Sequence, residues 1–423
     1  MRSEKSLPYV FLSLAVIGSL LLFAQNAMAS EPQEHTLYTF SGQSHGGGPF
    51  EMDGLIADQA GNLYGTARGG GQQGGGVVFE LTPPSAAGGR WIQTVLYSFP
   101  YGGEGDFPMG GLTFDAAGNL YGTAAYGGTT GNGSVFELSP PAIPGGAWTE
   151  TTLHHFAGGS DGEVPVSGVI LDSNGNVYGT TYYGGAANAG TIFELSPPAV
   201  QGGAWTESLL HTFTESHSTY PGGANPNGGL TLSPEGALLG TTTSGGDANS
   251  NGVVFKLDPP AAGQTNWREE VLYRFTGGSD GADPFGDLAL ASGGGFYGVA
   301  TNGGSSSYGT IYQMTPPAES GSSWTETTAY TFTGGGSDAY PVSVLLHSGN
   351  LYGTTEGYDL NYYGEVYELT LQSGVWVETI IHQFDNTDGD YPAARLTFNN
   401  NKFYGTTLLG GSNQQGVFFE VIP

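Results

Sequence analysis

The sequence predicts an all-β fold: a seven-bladed β-propeller with four antiparallel strands in each blade. Three observations predict it. A tandem repeat recurs about every 57 residues, each copy carries four strand patterns in the same order, and the two ends of the chain supply complementary parts of one copy. Repeats of this length suit a four-stranded blade, whereas leucine-rich and ankyrin repeats are shorter.

Each copy is centred on a glycine that follows a tyrosine or a leucine. The seven copies are Tyr64-Gly65-Thr66, Tyr121-Gly122-Thr123, Tyr178-Gly179-Thr180, Leu239-Gly240-Thr241, Tyr297-Gly298-Val299, Tyr352-Gly353-Thr354 and Tyr404-Gly405-Thr406. Glycine weakens the interior of a strand, so its recurrence predicts a close backbone approach between neighbouring blades. We expect one aromatic residue of strand c to fill the space between blades: Phe79, Phe136, Phe193, Phe255, Tyr312, Tyr367 and Phe418.

The copy that begins at Pro108 gives the order of the strands. Strand a alternates over residues 111–115 and is followed by a turn, and strand b spans 120–124. After a glycine-rich loop, strand c spans 134–138, and strand d spans 148–156 and is rich in β-branched and aromatic residues. Four strands per copy follow.

The chain ends predict how the ring closes. The N-terminal region holds an isolated strand d pattern over residues 36–40, and the chain ends on a strand c pattern over residues 417–421. We therefore expect residues 36–40 to complete the last blade, so that residues 30–423 form a single propeller domain. An open array would leave unpaired strand edges at both ends.

The first 29 residues predict a signal peptide. A basic start is followed by an apolar run over residues 10–23 and a small-residue cleavage site at Ala27-Met28-Ala29. No later run is long and apolar enough for a membrane helix, and the chain stops at Pro423 without an anchoring tail. We expect a secreted, periplasmic or cell-surface protein with no membrane insertion after cleavage.

Composition limits the partners. The chain has 38 acidic and 9 basic residues, a net charge of −29, and no cysteine. Such an acidic surface repels phosphate backbones, so nucleic acid is not expected as a partner. Disulfides and thiolate metal sites are excluded. Glycan, peptide and protein ligands remain, and we expect a monomer.

The repeat resembles a known family. Units reading Gly-Asn-Leu-Tyr-Gly-Thr at 61–66, Gly-Gly at 69–70 and Gly-x-Val-Phe-Glu-Leu at 76–81 resemble the GloVer-type (Gloeo/Verruco) tandem repeat family of exported bacterial proteins. The resemblance covers nearly the whole mature chain and implies export and a repeat architecture, without an established activity. Residues 115–121 are also distantly similar to the streptogramin (virginiamycin B) lyase-like propellers.

The loops from strand d to the next strand a carry the first set of candidate site residues. They form a mixed ring of carboxylates and imidazoles: His45, Glu104, Asp161, His217, Asp280, Asp338 and Asp388. One interpretation gathers these groups at the top of the central channel, where they bind a divalent cation such as calcium or act as general acids and bases. The other makes each Asp-Gly a turn in which the Asp side chain bonds nearby amides. By the same logic Asp58, Asp115 and Asp172 are turn caps between strands a and b.

Loops that depart from the repeat carry the second set. One contains His217 and Tyr220, and the other contains Tyr358 within residues 356–363. Aromatic residues in such surface loops, including Phe107, Tyr340 and Tyr391, stack on sugars or anchor the loop itself. The histidines at 154, 211 and 382 are interpreted as packing residues of the outer strand.

No common enzyme signature occurs in the mature chain. The sequence therefore favours a ligand-binding or protein-interaction module that uses the top-face loops, and it predicts no cofactor. Two alternatives stay open. One is a lyase or hydrolase with a histidine and carboxylate site at the channel mouth, and the other is an extracellular structural scaffold.

Overall fold

The computed structural model describes residues 33–42, 44–47, 54–86, 88–143, 145–200, 202–214, 222–319, 322–335, 338–357 and 362–422. These residues form seven four-stranded antiparallel sheets arranged as a β-propeller, which confirms the predicted fold class. Helix is confined there to two single 3-10 turns, Gly159–Asp161 and Ser292–Gly294. The predicted signal peptide lies outside the described residues.

Each blade follows the predicted order a, b, c, d. The a strands are β2 (Ile56–Ala57), β6 (Thr113–Phe114), β10 (Ile170–Leu171), β14 (Thr231–Leu232), β18 (Ala282–Leu290), β22 (Pro341–His347) and β26 (Thr397–Asn399). The b strands are β3 (Leu63–Ala67), β7 (Leu120–Ala124), β11 (Val177–Thr181), β15 (Leu238–Thr242), β19 (Phe296–Asn302), β23 (Asn350–Thr355) and β27 (Lys402–Thr406).

The c strands are β4 (Gly74–Thr82), β8 (Ser134–Ser139), β12 (Thr191–Ser196), β16 (Val253–Asp258), β20 (Thr310–Thr315), β24 (Glu365–Gln372) and β28 (Val417–Ile422). The d strands are β5 (Ile92–Pro100), β9 (Thr149–His155), β13 (Thr206–Thr212), β17 (Arg268–Arg274), β21 (Thr325–Thr331), β25 (Val375–Gln383) and β1 (Gln33–Thr39). Blade one runs from β2 to β5, the later blades follow in chain order, and blade seven consists of β26, β27, β28 and β1. The d strands form the outer edge, where they expose alternate side chains.

The chain ends meet as predicted. Strand β1 pairs antiparallel with β28, from Gln33 opposite Ile422 to Thr39 opposite Val417. The paired segment begins three residues earlier than the sequence pattern over residues 36–40 indicates. The ring is therefore closed by non-covalent strand pairing within blade seven.

The mid-strand glycine makes room for an aromatic ring of its own blade. Gly179 lies opposite Phe193, and a Cβ atom built on this glycine would stand 2.5 Å from Cζ of that ring. The predicted reason, backbone approach between blades, is wrong for this glycine. Such an approach occurs instead at Gly110, where a Cβ would lie 2.4 Å from the backbone of Ser167 in the next blade. In blade seven the register pairs the glycine with Phe419, so the expected Phe418 is not the equivalent residue.

A ring of aromatic pairs connects successive blades. A buried phenylalanine at the end of each strand d packs on the strand c aromatic of the next blade, with ring centroids 5.0 to 5.4 Å apart. The pairs are Phe40–Phe79, Phe99–Phe136, Phe156–Phe193, Phe213–Phe255, Phe275–Tyr312, Phe332–Tyr367 and Phe384–Phe419. The hydrophobic core thus lies between the blades, including the junction that closes the ring.

Candidate functional site

The turns between strands a and b are capped as predicted. Asp58 Oδ1 accepts hydrogen bonds from the backbone N–H groups of Ala60 and Asn62, both at 2.9 Å. Asp115 and Asp172 make the equivalent bonds in blades two and three. These carboxylates hold hairpin turns.

The loops from strand d to strand a do not bring their acidic side chains to the channel mouth. Asp161 lies beside His154 of the outer strand β9, with Oδ2 and Nε2 3.4 Å apart, and Asp388 lies 2.9 Å from Nε2 of His382 on β25. The loop folds back because Asp161 Oδ2 accepts the N–H of Ala157, the first residue after the strand d phenylalanine. The predicted gathering at the channel is therefore wrong, and the turn interpretation explains these residues.

The other predicted residues are equally separate. His45 is exposed, with Nδ1 3.2 Å from Ser44 Oγ, and Glu104 pairs with His155 at 2.9 Å. Asp280 and Asp338 are buried at two further blade junctions. His217, Tyr220 and Tyr358 lie outside the described residues. Among the residues of the predicted carboxylate and imidazole ring that the structure describes, no two share a site.

A polar cluster lies where each outer strand meets the outer strand of the next blade. We call each of these clusters a rim junction. It joins a Tyr or His of one strand d to a Glu or Gln of the next strand d. The pairs are Tyr38 with Gln93, Tyr97 with Glu150, His154 with Glu207, His211 with Glu269, Tyr273 with Glu326, Tyr330 with Glu378 and His382 with Glu34. The histidines therefore do more than pack. Five of these carboxylates stand two residues after a tryptophan at or near the start of strand d, a spacing visible in the sequence: Trp148, Trp205, Trp267, Trp324 and Trp376.

Burial in the rim junctions favours uncharged carboxyl groups. It raises the pKa of Glu269 to about 7 and that of Glu326 to about 7. The pKa of Glu207 is raised by burial and by the neighbouring Asp161. Burial also lowers the pKa of His211 to about 4, which affects stability only below the ordinary histidine pKa of 6.5.

We expect the protein to lose stability as the pH rises from 6.5 to 7.5, through the folded-state pKa of Glu269 and Glu326. A raised carboxyl pKa stabilises the folded state fully below the ordinary value of 4.5, and this contribution is lost as the pH rises through the folded-state pKa. The thermal midpoint should fall by about 3 °C or more. The measurement is thermal unfolding at constant ionic strength in EDTA, with Glu269→Gln as the variant that flattens the slope. A midpoint that rises, or a variant with the wild-type slope, would contradict this.

A cleft of about 860 Å³ lies over blades five, six and seven. It is built by loops that join strand b to c and strand d to a. Its wall consists of Thr301, Asn302, Tyr340, Glu356, Gly357, Tyr362, Tyr363, Asn386, Asp390, Tyr391, Leu409 and Gln414. The wall thus combines tyrosine rings with carboxylate and amide groups, and the described wall contains no Lys, Arg or His.

The polar groups of the cleft are set for hydrogen bonding. The Tyr391 hydroxyl donates to the Glu356 carboxylate, and burial raises the pKa of Glu356. Burial also raises the pKa of Asp390. Asn386 lines the cleft, and its Oδ1 is buried without a hydrogen-bond partner.

The loops of this face hold side chains on a strained backbone. In six blades the residue before the proline at the start of strand a has a positive φ, between 53° and 63°: Phe107, Val164, Asn225, Asp283, Tyr340 and Tyr391. Glycine is favoured at such angles, yet none of the six is a glycine. The repeat therefore retains a side chain there and varies its chemistry from blade to blade, which is typical of functional positions.

Comparison with known proteins gives the family. The sequence profile of the Gloeobacter/Verrucomicrobia repeat matches residues 22–149, 94–293, 142–348 and 291–423. The chain belongs to this repeat family. No curated protein matches it. In the described part of this family member, no helical segment has the length and apolar character needed to cross a membrane.

Solved structures similar to this Gloeobacter/Verrucomicrobia repeat protein share its fold. An ulvan lyase bound to -[GlcA(1-4)Rha3S]- has a TM-score of 0.53 and 9% identity, over 90% of this chain and 95% of that chain. A Bacteroides uniformis protein provisionally named as a 6-phosphogluconolactonase has a TM-score of 0.51 and 13% identity, over 84% of this chain and 89% of that chain. A Lactobacillus plantarum protein has a TM-score of 0.50 and 17% identity, over 86% of this chain and 99% of that chain. Identities this low show the fold alone.

One predicted loop of this Gloeobacter/Verrucomicrobia repeat protein contributes to the cleft. Residues 356–363 depart from the repeat, and the structure places Glu356, Gly357, Tyr362 and Tyr363 in the cleft wall. Sequence reasoning missed the amide side chains of the wall: Asn302, Asn386 and Gln414. They come from three blades, and no spacing in the sequence connects them.

Proposed function

We propose that this protein is an exported carbohydrate-binding propeller that holds a neutral saccharide in the cleft over blades five to seven. The observation that carries the proposal is the composition of the wall. Tyrosine rings pack on the C–H faces of sugar rings, while carboxylate and amide oxygens accept hydrogen bonds from sugar hydroxyls. Export is part of the proposal because residues 1–29 predict a signal peptide.

Charge supports a neutral ligand. The net charge is −29, and Glu356 and Asp390 lie in a wall whose described residues include no basic side chain. An anionic saccharide, such as the uronate and sulfated chain bound to the ulvan lyase, would be repelled. Neutral oligosaccharides meet no such barrier.

A second candidate activity is glycoside hydrolysis at the same cleft. Glu356 has a raised pKa and accepts a hydrogen bond from Tyr391, and Asp390 supplies another carboxyl group of raised pKa in the same wall. A carboxyl group of raised pKa is suited to act as a general acid. These observations favour hydrolysis over the lyase alternative, since cleavage of anionic uronate polymers requires the cleft to accept a negative charge.

We expect Tyr391→Ala to weaken binding of a neutral oligosaccharide about tenfold or more, because it removes both a ring face and the hydrogen bond to Glu356. The measurement begins with a glycan array and continues with calorimetric titration of the strongest neutral ligand. Tyr126→Ala is the matched control, because Tyr126 is an exposed tyrosine of a blade-two loop outside the cleft. The products of the titration are analysed by mass spectrometry, and a shortened glycan that Glu356→Gln no longer releases would favour hydrolysis.

The proposal fails under either of two outcomes. One is an array on which no neutral glycan binds the wild-type protein. The other is a bound neutral glycan whose affinity falls equally in Tyr391→Ala and Tyr126→Ala.

A further inference from the structure

We propose that Asp338, Glu365 and Glu378 bind a divalent cation, Ca²⁺, at the junction between blades five and six. Asp338 lies in the loop between β21 and β22, Glu365 begins β24 and Glu378 lies in β25. One carboxylate oxygen from each residue lies within 4.8 Å of the other two. Because Ca–O distances are about 2.4 Å, a single ion between these oxygens can contact all three carboxylates.

The buried oxygens of this cluster lack partners. Glu365 is 0% exposed, and neither of its carboxylate oxygens has a hydrogen-bond partner. Asp338 Oδ1 and Glu378 Oε1 are buried and unpartnered as well. Negative charge buried without a partner is strongly unfavourable. A bound cation would satisfy all four oxygens together.

The remaining oxygens are held by neighbouring donors. Asp338 Oδ2 accepts hydrogen bonds from Thr333 N–H at 2.9 Å and from its hydroxyl at 2.7 Å. Glu378 Oε2 accepts the Tyr330 hydroxyl at 2.9 Å. Each of these two carboxylates is therefore oriented through one oxygen while the other is left for the cluster. This arrangement is typical of carboxylates that ligate metal ions.

Glu365 is a departure from the repeat. The equivalent position at the start of strand c carries a small apolar or hydroxyl residue in the other blades: Val77, Ser134, Thr191, Val253, Thr310 and Val417. The propeller fold therefore does not require a carboxylate there.

The neighbouring junction between blades four and five shows the contrast. There the Thr310 hydroxyl donates to the backbone oxygen of Asp280 at 3.1 Å. Asp280 Oδ1 accepts the Thr276 hydroxyl at 2.5 Å, and Oδ2 accepts the Tyr273 hydroxyl at 3.0 Å. That junction is satisfied by its own side chains, whereas the junction that contains Glu365 is not.

The chemistry of the donors selects the ion. All three side chains offer hard oxygen ligands, and in the described ranges none of them forms an ion pair with Lys, Arg or His. Mg²⁺ keeps several of its water molecules, which need space, whereas Ca²⁺ accepts protein oxygens in a flexible geometry. Burial of Glu365 and Asp338 therefore favours Ca²⁺.

The site lies next to the cleft but does not depend on the proposed saccharide binding. Glu365 pairs with Thr355, the residue before Glu356, and Asp338 stands two residues before Tyr340. Both Glu356 and Tyr340 line the cleft. A cation here would hold together the two segments that carry them.

The test is calcium titration of protein first treated with EDTA. We expect about 5 mM CaCl₂ to raise the thermal midpoint by about 5 °C or more. Tb³⁺, which replaces Ca²⁺ in oxygen sites, should give luminescence sensitised by the adjacent Tyr330, and excess Ca²⁺ should quench it. Neither readout involves a saccharide, so the result is independent of the proposed function.

Two variants make the test specific. Glu365→Val introduces the residue that blades one, four and seven carry, so it should fold, be at least as stable as the wild type in EDTA, and lose both responses. Glu365→Gln serves the same purpose if the valine variant does not fold. Glu326→Gln, at the junction that has Thr310 in place of Glu365, should keep both responses.

The proposal is overturned if neither Ca²⁺ nor Mg²⁺ stabilises the wild type, or if Glu365→Val responds as the wild type does. A response to Mg²⁺ without one to Ca²⁺ would overturn the choice of calcium.

Discussion

Deletion of residues 30–41 is expected to abolish the folded monomer. The deleted segment contains β1, the fourth strand of blade seven, and Phe40, which is 0% exposed and packs on Phe79 of blade one. The deletion would leave the backbone groups of β28 unpaired and would expose the aromatic junction that closes the ring. Exposed strand edges of this kind pair with other chains, so the truncated protein should aggregate.

Size-exclusion chromatography and thermal unfolding measure this effect. We expect the truncated protein to elute as oligomers or aggregate and to unfold at least about 15 °C below the intact protein, since a whole strand and one inter-blade aromatic pair are lost. A synthetic peptide of residues 33–42 should restore the monomer, while a scrambled peptide of the same composition should not. A truncated protein that remains monomeric with an unchanged midpoint would contradict the role of β1.

Gly179→Ala is expected to destabilise the protein by about 1 to 3 kcal/mol. The new Cβ would lie 2.5 Å from Cζ of Phe193, a ring that is fully buried and also packs on Phe156 of the preceding blade. Protein interiors are close-packed, so a buried ring leaves its position only at a cost. The side chain or the strand must therefore shift, at a cost in packing.

Chemical denaturation provides the measurement, and two further variants test the cause. Gly335→Ala is the matched control, because its Cβ would meet no atom closer than 3.7 Å and the change should cost less than about 1 kcal/mol. Combining Gly179→Ala with Phe193→Leu should cost less than the sum of the two single changes, since the smaller side chain relieves the clash. Additive costs would show that the ring is not the reason for the glycine.

The fold could be predicted because its signals are local. The spacing of Tyr-Gly-Thr, the order of the strand patterns in each copy and the isolated strands at the two ends all describe hydrogen-bonded neighbours within one blade. The reason for the glycine was not predictable in the same way. It depends on which aromatic residue of strand c lies opposite the glycine of strand b. The register of the two strands decides this, as in the pairing of Gly405 with Phe419 in blade seven.

The candidate site was predicted only in part. The loop over residues 356–363 was identified because it departs from the repeat, and four of its residues line the cleft. The acidic ring was misplaced because spacing gives the position of Asp161 along the loop but not the direction of its side chain. The bond from Ala157 N–H turns that carboxylate towards the outer strand.

By itself the sequence determined the number of blades, the order of their strands and the closure of the ring, because strand periodicity and turn residues act over a few neighbours. Tertiary structure alone decided which side chains meet between blades. The Asp338, Glu365 and Glu378 cluster and the cleft around Tyr391 join groups from different strands and loops. Their contacts depend on strand register, loop dihedral angles and the packing of one blade on the next, and none of these is encoded in a local pattern.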